Sequence, residues 1–327
     1  MKARILPPTP ARLRRLATVL RRGGLVAIPT ETVYGLAADA LNPKACQAIF
    51  EAKGRPAHDP LIVHVSGLKQ AETLASFNEP ARILARAFWP GPLTIILPKK
   101  DIVPAIVTSN GATVALRAPA HPLARRLLRL SGIPLAAPSA NPFSYISPTS
   151  AEHVRQGLGA RIGYILDGGE CAIGVESTVL DLSNPSRPRI LRPGAISGAE
   201  LSRVLGRKVV SMRRKGKRST AQRSPGLLEK HYSPRTPLSV TSSRATPARG
   251  TALIRLTRPS GSPHPGIYWL SRNGSLTEIA RNLYRVLREA DADGHRRILI
   301  ERVSLAAGGL AAAINDRIDR AAAKRRA

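Results

Sequence analysis

Short apolar runs alternate with stretches of helical periodicity along roughly the first two hundred residues. A short apolar run bounded by Pro, Gly or polar residues is typical of a buried strand, and apolar positions repeating about every 3.6 residues are typical of a helix. The predicted strands are Leu25–Ile28, Leu61–Val65, Leu93–Leu97, Thr113–Leu116, Tyr164–Leu166 and Ser177–Leu182. The predicted helices are Pro43–Ala52, Pro80–Phe88 and Pro122–Leu130. Strands that alternate with helices predict an α/β sheet.

A second, shorter α/β pattern occupies the end of the chain. Ser275 and Glu278 have the S-x-x-E spacing of a capping box, which predicts the start of a helix. The apolar face of that helix would consist of Ile279, Leu283, Val286 and Leu287. The other predicted elements are the strands Ala252–Leu256, Ile267–Leu270 and Arg297–Val303 and the helix Leu310–Ala323. About 90 residues are enough for a small separate domain.

The segment between these two patterns is strongly basic. Residues 203–223 contain many Lys and Arg residues and no acidic one, and residues 224–238 are rich in Pro. Such a charge run is typical of a solvated linker, and an arm that contacts RNA is the alternative. We therefore predict a first α/β domain over 1–205, a basic and Pro-rich linker over 206–240, and a small α/β domain over 241–327.

The whole chain is basic as well. It has 51 Lys and Arg residues against 21 Asp and Glu residues, which gives a formal net charge of +30. This balance excludes an acidic scaffold and favours a polyanionic partner such as a nucleotide, a nucleic acid or a membrane surface.

Several functional classes are excluded by what the sequence lacks. The two cysteines, Cys46 and Cys171, lie far apart and outside any CxxC pair, so a disulfide framework and a thiolate zinc site are excluded. The P-loop, the dinucleotide fingerprint, HExxH and GxSxG are absent, and the histidines are not spaced like a metal cage. We find neither a signal peptide nor a run of ~18 apolar residues, so we expect a cytoplasmic protein that does not associate with membranes.

Candidate chemistry is concentrated where polar residues follow predicted strands. Residues 29–35 (PTETVYG) place Thr32 and other hydrogen-bonding groups directly after a strand. Lys53 and Arg55 follow a predicted helix, and His64 lies inside the apolar run LIVHV, where a buried core histidine is the simpler interpretation. Arg117 ends another strand, where an internal salt bridge competes with an anionic ligand.

Two further segments have the same character. Residues 137–148 offer Ser139, Asn141 and Ser147 on a Pro-rich loop, and residues 174–178 (GVEST) precede Arg192 at a strand end. Each of these segments could be an ordinary polar turn. Together, however, the four cations at element ends predict a positively charged concave site for a ligand with several negative charges. They are Lys53, Arg55, Arg117 and Arg192.

The order of these motifs resembles that of a known family. PTETVYGLAADA, KGRPAHDPLIVHV, FWPGPLTIIL, VALRAPAHP, APSANP, SPTSAEHV, LDGG and GVESTVLDL follow one another along the chain. They resemble the YrdC-like L-threonylcarbamoyladenylate synthases, and SPGLLEKHYSP resembles the linker of the two-domain form of these enzymes. The resemblance covers roughly residues 10–240 and is weaker beyond them.

The resemblance implies a fold, a reaction and partners. The fold would be a YrdC-like twisted mixed sheet with helices and a basic cavity, followed by a small α/β domain. L-threonine, bicarbonate and ATP would give threonylcarbamoyl-AMP and pyrophosphate, with Mg²⁺ as cofactor. The product would serve the t6A modification of adenosine 37 in tRNA through a threonylcarbamoyl transferase complex. Weak binding of tRNA or double-stranded RNA by the same protein is compatible with its charge.

The resemblance also assigns roles to residues. Lys53 and Arg55 would act on the reacting nucleotide as catalytic residues, and no residue is expected to hold a metal. The segment around His231 and Tyr232 would fold over the cavity as a lid. The threonine-binding positions are Thr32, His64, Arg117 and Ser177. The ATP-binding positions are Lys53, Arg55, Asp59, Thr113, Ser139, Asn141, Ser147, Arg192 and Tyr232.

The sequence departs from the family pattern in three segments. Asp59 stands where the family usually has Asn, Phe143 and Ser144 replace a Ser-Gly pair, and Leu227 replaces Met. A carboxylate near a triphosphate would repel it unless Mg²⁺ or Arg55 offsets the charge. Two alternative functions stay open: carbamoyl-adenylate chemistry on a different acceptor, and RNA binding without catalysis.

Overall fold

The computed structural model describes residues 3–56, 58–211, 231–242, 246–260 and 264–323. The strands are β1 (Arg4–Leu6), β2 (Val26–Ile28), β3 (Gly35–Asp39), β4 (Ile62–His64), β5 (Leu93–Pro98), β6 (Thr113–Arg117), β7 (Leu135–Ala136), β8 (Tyr164–Leu166), β9 (Thr178–Asp181), β10 (Arg189–Arg192), β11 (Val210–Ser211), β12 (Leu238–Thr241), β13 (Thr251–Thr257), β14 (Ile267–Ser271) and β15 (Arg297–Glu301). The helices are α1 (Pro10–Arg21), α2 (Pro43–Lys53), α3 (Leu68–Leu74), α4 (Glu79–Phe88), α5 (Ala105–Thr108), α6 (Pro122–Ser131), α7 (Ala151–Leu158), α8 (Gly198–Leu205), α9 (Leu276–Ala292) and α10 (Gly309–Ala321).

A large mixed sheet forms the first part of the molecule. Within the described residues it has eleven strands in the order β1-β8-β2-β3-β7-β4-β6-β5-β9-β10-β11. Strands β4 and β6 run parallel, and their register places His64 opposite Arg117. Strand β5 runs antiparallel to β6 and parallel to β9. The predicted mixed α/β sheet is therefore confirmed.

Helix α2 shows how local sequence places a cation at the edge of this sheet. The Asn42 side chain caps its start, Pro43 occupies the first turn, and Gly54 ends the helix with a left-handed φ of 62°. A Gly tolerates that conformation without the penalty that a Cβ atom brings. The helix therefore ends abruptly, with Lys53 in its last turn and Arg55 just beyond it.

A smaller sheet forms the end of the chain. Among the described residues its four strands are all parallel, in the order β12-β15-β13-β14, and they are accompanied by α9 and α10. This confirms the predicted small α/β unit. The Ser275 side chain caps α9 as predicted, but Glu278 accepts hydrogen bonds from Ser271 and Arg272 rather than completing the box.

One apolar cluster spans both sheets. It contains Val33, Ile146 and Val175 from the first part of the chain together with buried residues of the small sheet and its helices, such as Leu283 and Ile314. Since these side chains exclude water jointly, the two parts pack as one body.

The predicted domain limits fall close to element ends. Helix α8 ends at Leu205, and β12, which pairs with β15, begins at Leu238 inside the segment predicted as linker. Residues 212–230, which include Leu227 and most of the basic run, lie outside the described residues, so the linker and RNA-arm interpretations stay predictions. In the described part of the chain, no helix has the length and apolar character needed to cross a membrane.

Candidate active site

A cavity lies at the ends of the central strands of the large sheet. It encloses about 500 Å³, counting the solvent at its mouth. Of the residues predicted for the site, the structure brings these together on its walls: Thr32, Arg55, His64, Arg117, Ser139, Ser177, Arg192 and Tyr232. Three of the four cations predicted for a concave site, Arg55, Arg117 and Arg192, are thus on the walls of one cavity.

Arg117 and His64 lie side by side because of strand register. They occupy opposite positions on the parallel strands β6 and β4. The Nη1 atom of Arg117 donates to Oγ1 of Thr32 at 3.0 Å, and its Nη2 atom lies 2.7 Å from a carboxylate oxygen of Glu31. This corner of the cavity therefore combines a guanidinium, a hydroxyl and an imidazole.

The imidazole of His64 is neutral at physiological pH. Burial and the charge of Arg117 lower its pKa to about 3, and the charge of Glu31 offsets only part of this effect. Its Nδ1 atom has no hydrogen-bond partner among the described residues. A buried polar atom of this kind is normally satisfied, which indicates a ligand or water at this point.

Arg192 and Ser177 form a second cationic corner. Ser177 immediately precedes β9, and Arg192 ends the antiparallel strand β10. The Nε atom of Arg192 donates to the carbonyl of Ser177 at 3.2 Å, and its Nη2 atom donates to Oγ of Ser177 at 3.1 Å. The hydroxyl of Ser177 also lies 2.8 Å from that of Thr94. Arg192 is thus held at the wall by backbone and hydroxyl oxygens rather than by a carboxylate.

Arg55 is held by the residue that departs from the family pattern. Its Nη2 atom lies 2.9 Å from a carboxylate oxygen of Asp59, and its Nε atom donates to the carbonyl of Asp59 at 3.1 Å. Asp59 is fully buried and does not line the cavity. Burial raises the pKa of Asp59, and the charges of Arg55 and Lys53 oppose that shift. Arg55 therefore offsets the acidic substitution, as its proximity in sequence suggested.

Lys53 supports a loop rather than the cavity surface. Its Nζ atom donates to the carbonyls of Ser139 at 2.5 Å and Asn141 at 2.6 Å, and it does not line the cavity. Burial and the charge of Arg55 lower the pKa of Lys53 well below its usual value. The predicted contact between Lys53 and a phosphate is thus not prearranged in this structure.

Three other predicted ATP positions also lie outside the cavity wall. Asn141 uses its amide nitrogen to hold the carbonyl of Tyr145 at 2.8 Å, and Ser147 donates to Glu176 at 2.7 Å. Thr113 begins β6, at the end of that strand away from Arg117. Asn141 and Ser147 would therefore act through the loop they stabilise.

The end of the predicted lid is buried at the cavity. The rings of His231 and Tyr232 lie 4.1 Å apart between centroids, and both residues line the cavity. The amide of Ser233 donates to the carbonyl of Ser144 at 2.8 Å. The hydroxyl of Tyr232 and Nδ1 of His231 have no hydrogen-bond partner in the described part of the chain. These groups are available to a ligand.

Sequence reasoning missed three buried groups around this site. Glu176 lies inside the GVEST motif but was not selected, whereas Tyr284 and Arg317 belong to no motif. Both contact Glu176 in the structure. The position of Glu176 beside Ser177 could have suggested it, but no sequence signal marked its two partners.

The described residues do not form a protein-held metal site. No group of three or more His, Cys, Asp or Glu residues is placed to hold an ion. The acidic side chains nearest the cavity, Glu31 and Glu176, already pair with Arg117 and Arg317.

Comparisons with known proteins show which proteins this chain is similar to. The Sua5, YciO and YrdC family model, described as telomere recombination, matches residues 18–194. A model for the C-terminal domain of threonylcarbamoyl-AMP synthase matches residues 196–323. Threonylcarbamoyl-AMP synthases of Pyrococcus abyssi and Bacillus subtilis are 41% and 40% identical to this chain, and the alignments cover 96% of it and 95% and 93% of those proteins.

A solved structure agrees over nearly the whole chain. The crystal structure of P. abyssi Sua5 complexed with L-threonine superposes with a TM-score of 0.88 at 39% identity, covering 98% of both chains.

Fold and cavity together define an α/β protein with a buried cationic site that fits a ligand carrying several negative charges. The chain belongs to the threonylcarbamoyl-AMP synthase family, in the form that carries the additional C-terminal domain. The resemblance read from the motifs is thereby confirmed. RNA binding without catalysis and chemistry on another acceptor are not favoured by these relatives.

Proposed function

We propose that this chain synthesises L-threonylcarbamoyladenylate from L-threonine, bicarbonate and ATP, with release of pyrophosphate. The observation that carries the proposal is that one cavity holds three buried arginines in two separate corners, two of them already paired with a carboxylate. Arg117 with Thr32 and His64 forms one corner, and Arg55 with Arg192 forms the other. Joining two anions requires both of them to be neutralised and brought close, and these corners supply that arrangement.

The corner around Arg117 is the proposed threonine site. A guanidinium suits a carboxylate, and the neutral imidazole of His64 and the hydroxyl of Thr32 suit the polar groups of an amino acid. The hydroxyl of Ser177 completes the wall toward the second corner. The L-threonine found in the P. abyssi structure supports this choice of substrate.

The corner around Arg55 and Arg192 is the proposed nucleotide site. Ser139 and Tyr232 add a hydroxyl each. Of the two residues predicted to be catalytic, Arg55 lines the cavity, whereas Lys53 would act through the loop that it holds. Asn141 and Ser147 belong to the same supporting layer, and we assign Thr113 no contact.

The reaction itself needs positioning more than covalent help. Bicarbonate takes up a proton and loses water to give CO₂, and the neutral amine of threonine attacks the CO₂ carbon to give a carbamate and release a proton. A carbamate oxygen then attacks the α-phosphorus of ATP, and the bond to pyrophosphate breaks. Arg55 and Arg192 would stabilise the negative charge that develops on the phosphate oxygens, while Arg117 orients the threonine. We assign no general base.

Protection from water is the second requirement. The carbamate is labile, so the cavity must exclude solvent while it exists. The buried pair His231 and Tyr232 lies at the cavity and would cover the bound nucleotide.

The remaining components of the proposal rest on the chemistry. Mg²⁺ would arrive with ATP and screen its phosphates. The product would pass to a threonylcarbamoyl transferase complex that modifies adenosine 37 of tRNA, and a cytoplasmic location suits that role. The net charge of +30 is compatible with weak binding of tRNA.

The test is pyrophosphate release from ATP in fresh bicarbonate with Mg²⁺, with L-threonine present or omitted. We expect release that requires both threonine and bicarbonate. Mass spectrometry of the mixture should detect the threonylcarbamoyl adenylate. Absence of threonine-dependent release from a folded protein would overturn the proposal, and salt-dependent binding of tRNA without turnover would then favour the non-catalytic alternative.

A further inference from the structure

Glu176 is a buried anion in the wall of a cationic cavity. It is 6% exposed and precedes Ser177, which the proposed reaction uses. One carboxylate oxygen accepts a hydrogen bond from Ser147 at 2.7 Å. Such a charge beside a nucleotide site is unfavourable unless other groups compensate it. The groups that compensate the charge of Glu176 therefore determine the electrostatics of this wall.

The compensating groups come from the small C-terminal unit. Tyr284 of α9 donates its hydroxyl proton to Glu176 at 2.9 Å, and Nε of Arg317 in α10 donates at 2.7 Å. Burial pushes the pKa of Glu176 upward, but the charges of Arg317 and Arg192 outweigh that effect, so the pKa lies below its usual value. Glu176 is therefore ionised, and its charge is matched across the boundary between the two units.

Arg317 also contacts Tyr232, which lines the cavity. The centre of its guanidinium lies 5.4 Å from the centroid of the Tyr232 ring, within the range of a cation–π contact. Tyr232 and Tyr284 lie 5.6 Å apart between ring centroids. The nitrogen atoms at the edge of the Arg317 guanidinium thus bind Glu176 in the cavity wall, and its flat face contacts the ring of Tyr232. A planar guanidinium can do both, whereas a lysine ammonium cannot.

The orientation of Arg317 is itself fixed. Its side chain is fully buried, and its Nη1 atom donates to the carboxylate of the neighbouring Asp316 at 2.7 Å. Its Nη2 atom donates to the backbone carbonyl of Glu176 at 3.4 Å. Arg317 therefore constrains both the side chain and the backbone of the residue that precedes Ser177.

We propose that Arg317 is a positioning residue for adenylate formation, through which the C-terminal unit sets the geometry of the Glu176–Ser177 wall and of Tyr232. The proposal rests on the proposed function, since it assigns Arg317 a role in that same site. Arg317 reaches Ser147 by way of Glu176 and contacts Tyr232 directly, and both belong to the nucleotide side, whereas Ser177 lies between the two corners. The expected effect therefore falls mainly on ATP.

The test compares Arg317→Met and Arg317→Lys with the unaltered full-length protein. Pyrophosphate release gives kcat and KM for ATP and for threonine, and calorimetry gives the Kd of ATP. Because loss of alignment by about an ångström can cost up to about a hundredfold, we expect the KM and Kd for ATP to rise about tenfold or more in Arg317→Met. The KM for threonine should change less. Arg317→Lys should recover part of the loss, since it restores the charge but not the flat face.

Two further variants separate positioning from loss of stability. Ile318→Ala creates a cavity in the same helix, one residue away, and should lower Tm without a comparable change in the KM for ATP. The double variant Glu176→Gln with Arg317→Met removes both members of the buried pair, so it should fold even where Arg317→Met alone does not. If the effect of Arg317 passes through Glu176, the two substitutions will not be additive.

The outcomes distinguish the two proposals. An Arg317→Met protein with a lowered Tm but an unchanged KM and Kd for ATP would reduce the residue to a structural role and overturn the inference. An equal rise of the KM and Kd for ATP in Ile318→Ala would also overturn the inference. Failure of the proposed function is recognised separately, because the unaltered protein would then show no threonine-dependent release, while ATP binding could still be compared among the variants.

Discussion

The guanidinium of Arg117 has neighbours at each of its nitrogens. Nε donates to the carbonyl of Gly91 at 3.3 Å, Nη1 donates to Thr32, and Nη2 faces Glu31. Burial pushes the pKa of Glu31 upward, but the charge of Arg117 and their hydrogen bond outweigh it, so the pKa lies below its usual value. The cation is thus held rigidly and paired with an anion before any substrate binds.

Replacement of Arg117 should therefore affect threonine far more than ATP. We expect Arg117→Ala to raise the KM for threonine by roughly a hundredfold, because a buried charge-assisted pair is worth about 2–3 kcal/mol. The Kd of ATP should change much less. The paired variant Glu31→Gln with Arg117→Met controls for the carboxylate that Arg117→Ala leaves unpaired. An equal loss of affinity for both substrates would remove Arg117 from the threonine site.

His64 makes stability depend on pH. Its folded pKa of about 3 lies below the value of ~6.5 expected for the unfolded chain, so on acidification the unfolded state takes up the proton first. Stability from this group is complete above pH ~6.5 and falls as the pH drops toward about 3, by up to ~1.4 kcal/mol per pH unit. Denaturant unfolding between pH 7.5 and 5 should show this slope, and His64→Gln should flatten it.

Other buried histidines contribute to the same slope. Burial lowers the pKa of His153 to about 4 and that of His231 well below its usual value. The matched control for His64→Gln is therefore the same change at exposed His264. If both variants keep the full slope of the parent protein, unfolding adds no proton to His64, and a lowered pKa of this residue in the folded protein is wrong.

Individual side chains of the site were predictable to an uneven degree. Arg117 and Arg192 were identifiable because a cation that ends an apolar strand must meet an anion or a ligand. The direction in which Lys53 points was not, since it depends on carbonyls of a loop that follows it by more than eighty residues in sequence. No sequence signal marked Arg317, because its partner Glu176 lies about 140 residues earlier in the chain, in the loop before β9.

At the scale of elements, the segment after β10 packs against the start of β9 and shapes the wall between the two corners of the cavity. Gly194, just after β10, approaches the backbone so closely that a Cβ atom would lie 2.1 Å from the amide nitrogen of Thr178 and 2.4 Å from the carbonyl carbon of Ser177. Only a residue without a side chain permits this approach. The position of Ser177 therefore depends on this glycine.

Gly194→Ala should accordingly displace the Ser177 segment and reduce turnover. We expect kcat/KM for both threonine and ATP to fall roughly tenfold or more, since small displacements of aligned groups are costly. Gly163→Ala is the matched control, because a Cβ atom there meets open space. Pyrophosphate release and Tm should be measured on both variants. Unchanged turnover in a folded Gly194→Ala protein would contradict the expectation that the position of Ser177 depends on this glycine.

The sequence pattern predicted the elements in which apolar residues are clearly set off from polar neighbours. Strands such as β4 and β5 and helices such as α2 and α4 lie within a residue or two of their predicted limits. Strand β3 was missed because its sequence, GLAAD, offers small residues rather than β-branched ones. Strand β1 and the following α1 were missed because nearby prolines obscured the pattern, although Pro10 actually begins the helix.

At the scale of the whole molecule, the two sheets share a core. The cluster that joins Val33, Ile146 and Val175 to the small unit is accompanied by polar contacts, such as the hydrogen bond of 2.8 Å from Tyr145 to Asp291. Such a boundary is more apolar than one between domains that move freely. The sequence could locate the small domain but could not show that its helices complete the cavity.

This packing predicts a single unfolding transition. Scanning calorimetry of the full chain should give equal calorimetric and van't Hoff enthalpies, because unfolding of either part alone would expose the apolar cluster that joins the two parts. Ile314→Ala, in the buried face of α10, should destabilise the whole transition by about 2–5 kcal/mol. A change at Ile102, which is 55% exposed, is the control. Two resolved transitions, with only one shifted by Ile314→Ala, would contradict the shared core.

The order of strands in the large sheet has a consequence for synthesis. Strand β8 lies between β1 and β2 and pairs with both, so Tyr164 is the partner of Arg4 and of Val26. On a ribosome, β1 and β2 emerge long before the strand that belongs between them. Such distant pairings form slowly and leave strand edges open in the meantime. We expect the growing chain, rather than the finished enzyme, to be the form most prone to aggregation and most dependent on chaperones.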